Sequence, residues 1–123
     1  MPRILVIDDD ITVRTTVRVL LERAGYEIIE AGDGKEAGHL LDDADLVITD
    51  LLMPEVDGVD LLGTMRRQGR RVPVIAMSGG GKVNSKSYLD VAKALGAYAT
   101  ITKPFDLEHL LATVRDALAS RGA

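Results

Sequence analysis

Residues 4–10 read ILVIDDD, a short apolar run that ends in three consecutive aspartates. A continuous apolar run of this length suits a β-strand that is buried on both faces, as the strands of a parallel sheet are. It is too short for the apolar part of a signal sequence or for a membrane span. The segment therefore predicts a buried first strand with acidic side chains at its carboxyl end.

Similar runs, rich in Ile and Val, recur along the chain at residues 27–30, 46–49, 72–77 and 98–102. The segment after the first run has apolar residues at helical spacing, and Gly25 then marks the end of the predicted helix. The residues of this stripe are Val13, Val17, Leu20, Leu21 and Ala24. Comparable stripes follow the other runs, at residues 37–41, 59–65, 88–95 and 107–118.

The chain thus alternates strands and helices in five successive units. Strands that alternate with helices form parallel βαβ units with right-handed crossovers. Five units are too few for a closed barrel, which needs about eight. We therefore expect one α/β domain over residues 1–123, a doubly wound five-stranded parallel sheet of the flavodoxin-like kind with strand order 2-1-3-4-5.

Composition restricts the class of protein. The formal net charge of −4 offers no electrostatic reason for nucleic-acid binding, which depends largely on Lys and Arg. The chain has no Cys, which excludes disulfides and thiolate zinc sites. We expect a soluble, cytoplasmic protein that binds neither nucleic acid nor membranes.

Polar residues follow the predicted strands at their carboxyl ends, where ligands bind in such sheets. Asp8 and Asp9 follow the first strand, and Asp50 follows the third. Because these two strands are neighbours in the expected order, the three carboxylates should converge, and their mutual repulsion favours a divalent cation. Mg²⁺ fits best, since it binds carboxylates together with water and phosphate oxygens. We expect Asp10 only to cap the first helix.

Two further polar residues complete this edge, Ser78 after the fourth strand and Lys103 at the end of the fifth. A carboxylate beside Mg²⁺ can attack phosphorus and form an acyl phosphate. Phosphoryl transfer depends on positioning and on neutralisation of charge, which the Lys103 ammonium and the Ser78 hydroxyl would both assist. The set therefore predicts a site that accepts a phosphoryl group.

This ordered set resembles the bacterial response-regulator receiver family. The resemblance covers about residues 2–118, and it is carried by ILVIDDD at 4–10, DLLMP at 50–54, Asp57-Gly58, Ser78 and KPF at 103–105. It implies a stand-alone receiver domain of two-component phosphorelay signalling. Asp50 would accept the phosphoryl group from a sensor histidine kinase or a histidine phosphotransfer protein.

The resemblance also implies the roles of the other residues. Asp9 and Asp50 would ligate Mg²⁺ by their side chains, Leu52 by its main-chain carbonyl, and Asp8 through water. Lys103 would pair with Asp50 and then with the phosphoryl group, to which Ser78 would donate a hydrogen bond. Such a chain is no enzyme beyond its own phosphorylation and dephosphorylation, and it would signal through the surface of its fourth helix, fifth strand and fifth helix. Thr100 stands where many receivers have Tyr or Phe.

Other interpretations stay open at this point. An aspartyl phosphatase would need a second acid two residues after Asp50, where this chain has Leu52. A flavin carrier of the same fold would bind the FMN phosphate after the first strand, where three aspartates would repel it. A degenerate receiver would bind protein partners without phosphorylation, although the complete set of site residues argues against that.

Overall fold

The structure, a computed structural model, describes residues 1–51, 58–79, 85–103 and 106–121. Strands and helices alternate along the described chain, and a short 3₁₀ turn (Leu41–Asp43) precedes the third strand. The elements are β1 (Arg3–Ile7), α1 (Ile11–Arg23), β2 (Glu27–Ala31), α2 (Gly34–Gly38), β3 (Leu46–Asp50), α3 (Gly58–Arg67), β4 (Val74–Gly79), α4 (Ser85–Ala94), β5 (Ala99–Lys103) and α5 (Leu107–Arg121). None of the described helices is both long enough and apolar enough to cross a membrane.

The strands form one parallel sheet in the order β2-β1-β3-β4-β5, which confirms the predicted fold class and strand order. The register keeps the carboxyl ends of neighbouring strands level. Ile7 lies opposite both Ala31 and Thr49, and Asp50 lies opposite Met77. The residues that follow or end the central strands therefore meet at one edge of the sheet.

Alternation along the strands divides the core into two apolar layers, one on each face of the sheet. One layer contains side chains of β1 and β3 such as Leu5 and Val47, packed with α2, α3 and α4. The other contains Ile4 and Ile48, packed with α1 and α5. Helices thus cover both faces, which explains why the strands have nearly continuous apolar sequences.

Several boundaries differ from those expected from the sequence. Asp50 and Ser78 lie inside their strands instead of after them. β4 begins at Val74 and not at residue 72, because Pro73 has no N–H for the ladder, although its carbonyl accepts a bond from Val47 N at 3.0 Å. The helix expected around residues 37–41 ends at Gly38, a residue of low helix propensity, and Leu41 begins the 3₁₀ turn.

Candidate functional site

Three carboxylates meet at the carboxyl edge of β1 and β3. One carboxylate oxygen from each of Asp8, Asp9 and Asp50 lies within 4.8 Å of the other two. Asp8 is fully buried, Asp50 is 8% exposed, and Asp9 is exposed to solvent. The convergence expected from the strand order is therefore present, and the cluster is reached from solvent on the side of Asp9.

The chemistry of this cluster suits Mg²⁺. All three ligand atoms are carboxylate oxygens, which hard divalent cations prefer. Octahedral Mg²⁺ holds its ligands at about 2.1 Å, so two of its ligands lie about 3 to 4 Å apart. The three oxygens, which lie within 4.8 Å of one another, are close enough to surround one ion, and the ion would relieve the repulsion among their negative charges.

The loop between β1 and α1 is held by hydrogen bonds at Asp8 and at Asp10. Asp8 N donates to Ala31 O at 3.2 Å, and Asp10 N donates to Asp8 Oδ1 at 2.9 Å. Asp10 Oδ1 in turn accepts from Thr12 N at 2.9 Å. Asp10 therefore caps α1, as predicted, and its carboxylate is directed toward the helix.

Alanine substitutions at Asp9 and at Asp10, compared with each other, should separate metal binding from helix capping. Asp10→Ala is expected to lower the free energy of unfolding by about 1 kcal/mol and to leave Mg²⁺ affinity nearly unchanged. Asp9→Ala should weaken Mg²⁺ binding with little loss of stability, because an exposed charge leaves a crowded acidic site. Urea unfolding and a titration of backbone amide shifts with MgCl₂ would measure both quantities. A larger loss of Mg²⁺ affinity in Asp10→Ala than in Asp9→Ala would contradict this division of roles.

β4 and β5 bring the other predicted site residues to the same edge. Asp50 pairs with Met77, and Ser78 is the next residue of β4, where it is fully buried. Lys103 is the last residue of β5, opposite Gly79. The main chain of Lys103 thus ends β5 one strand away from Ser78, while its side chain lies outside the part of the chain that the structure describes.

Some predicted features lie outside the described residues. Leu52, whose carbonyl is an expected metal ligand, is one of them, and so are the segments Met53-Pro54 and Pro104-Phe105. The role that the resemblance gives to Leu52 stays a prediction.

Two side chains at the site make polar contacts that could not be read from the sequence. Thr49 Oγ1 donates to the main-chain carbonyl of Asp50 at 2.9 Å, in the buried interior. The guanidinium of Arg14 donates to the main-chain carbonyl of Asp8 at 2.7 Å and to Glu30 at 3.2 Å. The available signals were a hydroxyl directly before Asp50 in an apolar run and an acid, Glu30, at the end of another such run.

The sequence model described as "Response regulator receiver domain" matches residues 4–115. The DNA-binding dual master transcriptional regulator RpaA of Synechocystis sp. is 39% identical over 119 residues, which are 94% of this chain and 48% of that protein. The transcriptional regulatory protein CpxR of Escherichia coli is 38% identical over 118 residues, again 94% of this chain and 48% of that protein. The chain therefore spans about half the length of these curated relatives.

Solved structures show the same likeness. The receiver domain of NtrX from Brucella abortus is 32% identical, with a TM-score of 0.87 that covers 94% of this chain and 98% of that one. A response regulator receiver domain protein from Clostridium thermocellum is 28% identical, with a TM-score of 0.90 over 99% of this chain and 98% of that one. The sheet order, the acidic cluster at its carboxyl edge and these matches lead to one conclusion. The chain belongs to the response-regulator receiver domain family of two-component signalling.

Proposed function

We propose that this chain accepts one phosphoryl group on Asp50 from the phosphohistidine of a sensor histidine kinase or a histidine phosphotransfer protein, and that the modification switches its protein contacts. The observation that carries the proposal is the meeting of the Asp8, Asp9 and Asp50 carboxylates within 4.8 Å, in a member of the receiver family. Among the candidate acceptor carboxylates, Asp50 has the central position, because it is the last residue of β3, the middle strand of the sheet.

The transfer is a substitution at phosphorus. A carboxylate oxygen of Asp50 attacks the phosphorus atom, and the new O–P bond forms as the P–N bond to the donor imidazole breaks. The imidazole nitrogen keeps the electron pair of that bond and takes up a proton. The product is an acyl phosphate on Asp50, whose side chain is almost fully buried and therefore presents its oxygens in a fixed direction.

The neighbouring residues supply charge and hydrogen bonds to this reaction. Asp9 and Asp50 would hold Mg²⁺ by their side chains, with Asp8 acting through water and Leu52 through its carbonyl. Bound Mg²⁺ would offset the negative charge of the phosphoryl oxygens. The Ser78 hydroxyl, fully buried beside the Asp50 strand end, would donate to one phosphoryl oxygen, and the Lys103 ammonium would pair with another.

The chain acts here as a switch and not as an enzyme, apart from catalysing its own phosphorylation and dephosphorylation. The output surface would be formed by α4, β5 and α5. Exposed apolar side chains support this assignment, namely Val91 on α4, Tyr98 before β5 and Leu107 at the start of α5. The name of RpaA includes DNA binding, but this chain matches only 48% of that protein, and we propose protein contacts alone as the output of this chain.

Phosphoryl uptake from phosphoramidate in the presence and absence of Mg²⁺ tests the proposal. We expect intact-mass measurements to show one added phosphoryl group per chain with MgCl₂ and none with EDTA, since the crowded carboxylates need a cation before an anionic donor can approach. Uptake that EDTA does not affect would contradict the metal requirement. If neither phosphoramidate nor a phosphorylated histidine phosphotransfer protein modifies the chain, it is a binding module that acts without phosphorylation.

A further inference from the structure

Arg14, in the first turn of α1, joins the acidic loop to the neighbouring strand β2. Its Nη1 donates to the main-chain carbonyl of Asp8 at 2.7 Å, and its Nε lies 3.2 Å from Glu30 Oε1. The Arg14 side chain is only 18% exposed and that of Glu30 is 32% exposed. Ion pairs that are partly shielded from water in this way are ordered more firmly than pairs at the surface.

We propose that Arg14 is a positioning residue of the acidic site, one that fixes the Asp8–Asp9 peptide so that the carboxylates of both residues meet Asp50 in a geometry that binds a divalent cation. The inference rests on the proposed Mg²⁺-dependent phosphorylation of Asp50. It adds a group that touches neither the ion nor the phosphoryl group and that acts through the main chain.

The geometric reason lies in the planarity of the peptide bond. The carbonyl of Asp8 and the amide nitrogen of Asp9 belong to one rigid plane, so a strong bond to that carbonyl fixes the direction in which Asp9 leaves it. The other side of Asp8 is already fixed, because its amide donates to Ala31 O at 3.2 Å. Arg14 therefore helps to orient the main chain of Asp9, and with it the exposed Asp9 carboxylate, together with the bond from Asp10 N to Asp8 Oδ1.

The surroundings of the guanidinium favour this single position. Glu30 offsets the positive charge of the guanidinium. The guanidinium can therefore lie near the acidic cluster without cancelling the attraction of that cluster for Mg²⁺. Gly32, which follows β2, lies next to the guanidinium, since a Cβ at that residue would be in van der Waals contact with Arg14 Nη1 at 3.4 Å. The guanidinium thus fits between the loop and the end of β2, with one donor for each.

Arg18 supplies a matched control on the same helix. Its Nε also pairs with Glu30, through Oε2 at 3.2 Å, and its Nη1 lies 3.6 Å from Glu22 Oε1. The ion pairs of Arg18 are with acids of α1 and β2, whereas Arg14 also donates a hydrogen bond to the main chain of Asp8. Removing either arginine deletes one positive charge and one ion pair with Glu30, but only the loss of Arg14 also removes a hydrogen bond to the acidic loop.

The sign of the effect separates positioning from electrostatics. Removing a positive charge near a cation site should by itself strengthen Mg²⁺ binding or leave it unchanged. If Arg14 orients the loop, Arg14→Ala should instead weaken Mg²⁺ binding by about tenfold, as losses of groups that orient ligands typically do. Arg18→Ala should change the affinity by less than about twofold while lowering the melting temperature to a similar degree.

The experiment is a titration of the ¹⁵N-labelled chain with MgCl₂, followed through the amide shifts of Asp9 and Asp50, together with thermal unfolding of each variant. Arg14→Lys keeps the charge but has no planar fork to hold Glu30 and the Asp8 carbonyl together, so its affinity should fall between wild type and Arg14→Ala. It also replaces Arg14→Ala in the comparison if that variant does not fold.

The outcomes distinguish this inference from the function on which it rests. If the wild type binds no Mg²⁺, the proposed metal-dependent function fails before any variant is compared. If the wild type binds Mg²⁺ and Arg14→Ala binds equally well or more tightly, or if Arg18→Ala loses as much affinity as Arg14→Ala, the positioning role of Arg14 is overturned while the proposed function stands.

Discussion

Asp50→Asn is expected to take up no phosphoryl group from phosphoramidate under conditions in which the wild type is fully modified. The amide of Asn offers no anionic oxygen to attack phosphorus, so the loss should be complete and not a reduction in rate. Asn also contributes no negative charge to the Mg²⁺ cluster, which weakens the second requirement of the reaction. Intact-mass spectrometry of the two proteins, treated in parallel, measures the difference.

The fold of this variant should persist, which keeps the result interpretable. Asn has nearly the size of Asp, and replacing one of three clustered carboxylates removes repulsion at the carboxyl edge of the sheet. Asp116→Asn makes the same chemical change on the exposed face of α5 and should leave uptake at the wild-type level. Phosphoryl uptake by Asp50→Asn at the wild-type rate would show that the acceptor is another residue.

Leu110→Ala is expected to lower the free energy of unfolding by about 3 kcal/mol. Leu110 is fully buried in the layer that packs α1 and α5 against the sheet, with Ile48 and Met77 of the strands that carry Asp50 and Ser78. Its truncation removes buried apolar area and leaves a cavity that the close-packed core can fill only in part. A loss of this size is a large fraction of the 5–15 kcal/mol that is typical of a domain.

Leu107→Ala is the control in the same helix. Leu107 is 42% exposed at the first residue of α5, so the same truncation should cost no more than about 0.5 kcal/mol. Urea unfolding monitored by circular dichroism would give both values. Equal losses in the two variants would mean that the described packing of α5 is not the packing in solution.

The fold followed from the sequence because its central strands are buried on both faces. Apolar runs such as residues 46–49 have no solvent-facing positions, which is the pattern of a parallel sheet covered by helices. The boundaries were less predictable, since they depend on single residues. Pro73 delays the start of β4 by lacking an N–H, and Gly38 ends α2 before the apolar stripe that includes Leu41 is complete.

The acidic site was predictable for a related reason, whereas its supporting contacts were not. Once the strand order is known, residues at the carboxyl ends of β1 and β3 must be neighbours, so Asp8, Asp9 and Asp50 could be placed together from the sequence. The Arg14 contact depends on how a long side chain crosses from α1 to a loop and to Glu30 on β2. The spacing of Arg14 and Glu30 along the chain does not predict this contact, because it does not determine how far α1 is shifted along β2 when the two elements pack.

Chemical trapping would identify the residue that carries the phosphoryl group, which we propose to be Asp50. The chain is treated with phosphoramidate and MgCl₂, the acyl phosphate is reduced with borohydride, and the peptides are sequenced by mass spectrometry. Borohydride converts a phosphorylated aspartate to homoserine, so we expect homoserine at residue 50 and unaltered aspartate at residues 8 and 9. Homoserine at another aspartate, or an unaltered residue 50 in a chain that has gained a phosphoryl group, would contradict it.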